Sequence, residues 1–187
     1  MNASAERYTG VAIVLHWLIA LAILGTFLLG QTMTELQLSP LKLKLYAYHK
    51  WIGVTIFLLV LARLAWRLAH RPPPPSASMP AWQQCAATMA HILLYALTLS
   101  IPISGWLMSS ASGFQVVYLG VIPIPDLLAK NKDLADQLKD LHEALNWLMV
   151  VVIALHVAAA LKHHILDRDD VLHRMLPLIK QRSAAKK

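Results

Sequence analysis

Charged residues are missing from four stretches of the chain, Tyr8–Thr34, Trp51–Ala62, Pro72–Pro125 and Ala144–Leu161. A helix that crosses a bilayer needs about 20 mostly apolar residues. The second stretch reaches that length once the flanking "LYAYHK" and "RLAWRL" are included, with their charged tips reaching toward the surface. The third is too long for one span, so "RPPPPSASMP" before it and "ASGFQVVYLGVIPIPD" after it read as loops. The pattern therefore predicts spans at 10–30, 47–69, 83–109 and 141–165. Short connections force neighbouring spans to run antiparallel. The expected fold is all-α, an integral membrane four-helix up-and-down bundle. It forms one domain over 8–177, followed by a basic tail over 178–187. The first span is too long for a signal peptide and has no small-residue cleavage site after a basic start.

Composition agrees with a membrane solvent. Of 187 residues, 57% are hydrophobic and 14% charged, and the mean hydropathy of +0.53 is too high for a soluble domain of this size. Lysine and arginine give the orientation. With the N-terminus inside, the inner segments hold eleven of these residues and the outer loops six, which places both termini in the cytoplasm. The net charge of +7 is then explained by inner flanks that meet anionic lipid, and nothing resembles a nucleic-acid module. Trp51, Trp66, Trp82 and Trp106 fall near span ends, as interfacial anchors do. The single Cys85 excludes a disulfide framework, and without a C-x-x-C-H motif there is no covalent haem attachment.

Histidines carry the candidate chemistry, since an ionisable group inside a membrane is costly. His142 and His156 are fourteen residues apart on the last span. That spacing leaves them about 40° apart around the helix and about 21 Å apart along it. They face one interior at two depths. His16 enters with the first span at the depth of His156, and His49 opens the second at the depth of His142. Facing imidazoles across a bundle core suit a flat six-coordinate iron porphyrin, held without covalent bonds. Zinc fits less well, because fourteen-residue spacing cannot converge two ligands on one small ion, whereas zinc helices use i, i+4 pairs. His91, early in the third span at the inner depth, remains an alternative ligand and otherwise lines the pocket. Gly53, one turn below His49, would let a porphyrin approach the backbone. Arg63, fourteen residues past His49, returns to its face at the inner depth, where a guanidinium suits haem propionates; Arg67 follows one turn later and either shares this role or reaches lipid phosphate.

The segments "IVLHWLIALAIL", "YHKWIGVTIFLLVLARLAWRL", "AHILLYALTLSIPISGWLM" and "LHEALNWLMVVVIALHVAAALKHHILDRDDVLHRMLP" resemble the bacterial cytochrome b561 family over about Tyr8–Pro177. These are small di-haem b membrane proteins that include superoxide oxidase. The resemblance implies two b haems with His16, His49, His142 and His156 as axial ligands to iron, and no ligand from the third span. It implies electron transfer across the inner membrane, oxidising superoxide on the periplasmic side and reducing ubiquinone near the cytoplasm. Lys42, Lys44 and Lys50 lie where they would draw superoxide in. His163, seven residues past His156, is placed to serve a quinone, with His91 and Arg67 beside it. The alternative function is an electron-transfer subunit that links the quinone pool to a periplasmic redox partner such as a dehydrogenase or hydrogenase.

Overall fold

The computed structural model describes residues 7–74 and 79–176. The tail expected at 178–187 lies outside them. Four long helices, α1 Gly10–Glu35, α2 Pro40–Ala69, α3 Ala81–Ala111 and α4 Lys132–Lys162, are each apolar enough to cross a membrane. Three of them, α1, α2 and α4, start at a side-chain cap. Thr9 Oγ accepts from Ala12 N, Ser39 Oγ from Lys42 N ahead of Pro40, and Asn131 Oδ1 from Leu134 N. Such caps satisfy amide groups that the first turn leaves unpaired.

The helices overrun the apolar spans, because caps rather than hydropathy decide where they begin. α4 starts at Lys132, nine residues before the expected 141. Its first turns, "KDLADQLKD", are polar and extend the helix beyond the apolar span. The stretch after α3 is also more ordered than a plain loop. Val116–Tyr118 (β1) pairs antiparallel with Ile122–Ile124 (β2), and the turn carries Leu119 and Gly120 at φ 54° and 75°. Positive φ at successive turn residues matches the twist of a β-hairpin.

α1 packs chiefly on α2 and α3 chiefly on α4, with α2 meeting α3. One small core joins Ile19, Ile56 and Val60, and a second joins Leu97, Met149 and Val152. Most other apolar side chains face outward, Leu21, Leu24, Leu58 and Leu155 among them. That is the pattern of helices whose outer faces meet lipid.

The two ends of the bundle are tied differently. At the end where α1 begins and α4 finishes, Trp17 Nε1 donates to the Met175 carbonyl at 2.8 Å, Arg174 to the Pro74 carbonyl at 2.7 Å, and Trp66 Nε1 to Thr9 Oγ at 2.8 Å. At the other end the β-hairpin is strapped to α2. Trp51 Nε1 donates to the Val117 carbonyl at 2.7 Å, and the hydroxyls of Thr55 and Tyr118 meet at 3.0 Å.

Candidate functional site

Five histidines gather between the helices in two layers. At the β-hairpin end, His49 of α2 faces His142 of α4, with ring centres 6.3 Å apart. At the termini end, His16 of α1 faces His156 of α4, also at 6.3 Å. All four are half-buried. The pairs are those expected from depth along the spans. His91 of α3 joins the second layer, with its ring centre 5.6 Å from that of His156.

The layer at the β-hairpin end is furnished by residues with little signal of their own in the sequence. His142 Nδ1 lies 3.1 Å from the Ile101 carbonyl and 2.9 Å from Ser104 Oγ, which itself donates to that carbonyl at 2.8 Å. A carbonyl can only accept, so His142 carries its proton on Nδ1 and its lone pair on Nε2. His49 Nδ1 meets Thr26 Oγ at 3.3 Å. Two glycines make room for the rings. A Cβ on Gly105 would stand 3.1 Å from His142 Cε1, and one on Gly30 would stand 3.2 Å from His49 Cε1. Gly53, expected to admit a flat ligand, would bring a Cβ within 4 Å of no atom.

Arg63 reaches inward at the termini end. Its Nε donates to Tyr95 Oη at 3.1 Å and its Nη1 to the Ala12 carbonyl at 2.8 Å, one turn ahead of His16. Arg67 stands over the Tyr95 ring at 5.9 Å. Both line a small cleft with Arg7, Arg71, Trp66 and Tyr95.

Beyond α4 a π-helical turn, His163–Asp167, and a left-handed Arg168 (φ 52°) fold the chain back. Asp169 thereby meets His163 Nδ1 at 2.7 Å, with Asp167 at 3.1 Å. The three side chains could hold a cation. Lys162 Nζ, 2.6 Å from Asp167, already balances the carboxylates. Sequence reading placed His163 at this border. Asp167, four residues past His163, shares its face on any helix, whereas a straight helix would carry Asp169 to another face.

The three lysines near the β-hairpin end have separate settings. Lys42 donates to the Leu36 carbonyl at 2.5 Å and so closes the end of α1. Lys50 donates to the Phe114 carbonyl at 3.2 Å. Lys44 is exposed, 6.0 Å from the Tyr48 ring centre.

Four membrane helices with imidazoles paired across their interior define a transmembrane cytochrome of the b type. Comparison with known proteins agrees. Residues 7–178 match the family model for prokaryotic cytochrome b561. The chain is 37% identical over 172 residues to cytochrome b561 homolog 2 of Escherichia coli (strain K12), covering 91% of this chain and 92% of that protein. Cytochrome b561 homolog 1 of the same organism is 29% identical over 173 residues, covering 92% and 98%. The probable superoxide oxidase CybB of Yersinia pestis is 30% identical over 183 residues, covering 92% and 97%. The chain belongs to the prokaryotic cytochrome b561 family, and it is a multi-pass bacterial membrane protein of electron transfer.

Membership implies b-type haem, and the residues present fit it. A metal–imidazole bond of about 2 Å on each side of one iron sets two ring centres about 6 Å apart. Both pairs stand at that separation. Where Nδ1 is hydrogen-bonded, Nε2 would be left free to hold a metal, which is how ligand histidines are ordinarily oriented.

Proposed function

We propose that the chain holds two b haems, one between His49 and His142 and one between His16 and His156. On this reading it moves electrons from superoxide at the β-hairpin end, facing the periplasm, to ubiquinone at the termini end, facing the cytoplasm. The observation that carries the proposal is the pair of imidazole couples, equally spaced, at two depths of one bundle. These residues would hold haem, which would supply one-electron redox chemistry there.

The protein's own groups then have separate tasks. Lys44 and Lys50, with Lys42 behind them, give the entrance a positive field that raises the local concentration of a small anion. Arg63, braced by Tyr95 and the Ala12 carbonyl, offers its remaining N–H groups to haem propionates. His91 and Arg67 line the inner layer near the quinone. His163 holds a proton for a quinone oxygen on Nε2, while Asp169 takes its Nδ1–H and steadies the charged ring. The balance is two superoxide anions, one ubiquinone and two protons giving two molecules of oxygen and one ubiquinol.

His163→Gln is expected to keep both haem bands and slow ubiquinone reduction about a hundredfold, within the range for loss of a proton donor. Asp169→Asn is expected to slow it less. Stopped-flow reoxidation of the reduced protein by a ubiquinone analogue checks both, and unchanged rates would remove His163 from the quinone site.

One feature favours a second reading. Leu119, Val121 and Ile122 are 54%, 75% and 54% exposed on the β-hairpin, a surface on which a periplasmic redox partner would dock. A superoxide pulse given to the purified oxidised protein in nanodiscs with ubiquinone separates the two. Rapid haem reduction followed by ubiquinol formation is expected. If the haems stay oxidised while a co-purifying redox protein reduces them, the second reading takes its place.

A further inference from the structure

The two layers are not held alike. The rings at the β-hairpin end are hydrogen-bonded at Nδ1, His142 by Ile101 and Ser104 and His49 by Thr26. Among the described residues, no hydrogen bond reaches the rings of His16, His91 or His156. Ser104 is buried, at 4% exposure, and its hydroxyl closes a triangle with the Ile101 carbonyl and the imidazole. This arrangement lies on α3, the one helix that supplies neither member of either couple.

An imidazole that donates its Nδ1–H becomes a stronger base at Nε2. A stronger axial donor favours the oxidised iron over the reduced one, so the centre takes an electron less readily. At the termini end the Arg63 guanidinium acts in the same sense from the other side, since a nearby cation favours the state with one less positive charge. Lys50 opposes this at the β-hairpin end, where Asp126 lies close enough to offset it.

We propose that Ser104, with the Ile101 carbonyl and Thr26, makes the centre at the β-hairpin end the weaker electron acceptor of the two, so that an electron entering there runs downhill toward the termini end. The proposal rests on the ligand couples given under Proposed function. Ser104 is a positioning residue, because it acts on the centre only through His142.

Redox titration of the purified haem-loaded protein, followed by its b-haem absorbance, tests this. In Ser104→Ala the lower of the two midpoint potentials is expected to rise while the higher stays. The electron's sharing between the centres should shift about tenfold, which is about 59 mV for one electron. The low-temperature electron paramagnetic resonance signal of the same centre should move with it. Ser104→Thr, which keeps the hydroxyl, should restore the original value, and Thr26→Val should raise the same midpoint by less. His142→Ala identifies the centre, because it lacks that midpoint. The proposal is overturned if Ser104→Ala and Thr26→Val leave both midpoints in place, if the higher one moves instead, or if the centre at the β-hairpin end proves to be the higher. Should Ser104→Ala fail to load haem, Thr26→Val decides alone. A wild-type protein with a single haem would instead remove the function proposed above, a result distinguishable from two haems with unmoved potentials.

Discussion

His142→Ala is expected to abolish one of two b-haem signatures and leave the other, halving the haem content per chain. His156→Ala should remove the complementary signature. Each imidazole belongs to one couple only, and the couples sit about 21 Å apart along α4, so loss of one leaves the other ligand set whole. Pyridine haemochrome quantification with low-temperature spectra of both variants checks this. If neither variant loses haem, the ligand assignment is wrong. If His156→Ala alone keeps both bands and His91→Ala loses one, His91 is the ligand in that layer.

Gly105→Leu is expected to lose the haem at the β-hairpin end about as completely as His142→Ala does, although it alters no ligand. A Cβ at this position already stands 3.1 Å from His142 Cε1, and a larger side chain drives the ring away from its partner. The opposing effect is small, since leucine improves on glycine in a helix interior by under about 1 kcal/mol. Haem stoichiometry and a melting curve of the haem-free protein, measured together, separate the two: haem falls while helix stability does not. Full haem content in Gly105→Leu would show that the ring has room to move.

The four spans and both couples were legible because they depend on short-range periodicity. Hydropathy marks the lipid-facing runs, and a fourteen-residue interval places two side chains on one helical face whatever the tertiary packing. Helix starts were less legible, since Asn131 and Ser39 cap polar first turns that hydropathy excludes from a span. The β-hairpin passed as a loop because its strands are three residues long, too few for alternation to register. Gly30, Gly105, Thr26 and Ser104 gave no signal at all. Their roles exist only where one helix crosses another, and nothing in a single sequence gives the rotation of α3 against α4. Asp169 of the His163 cluster was illegible for a related reason, since the π-helical turn and the left-handed Arg168 reverse a chain that periodicity extends straight, whereas Asp167 lies at plain i, i+4 spacing.

The packing of α1 on α2 and of α3 on α4 makes two helical hairpins, and each histidine couple draws one ring from either hairpin. Cofactor uptake and closure of the two halves are then one linked equilibrium. Stability should follow the concentration of free haem, gaining about 2.7 kcal/mol per site when haem is at a hundred times its dissociation constant. Without haem the two hairpins would keep only the α2–α3 contact and the ties at the bundle's ends to hold them together.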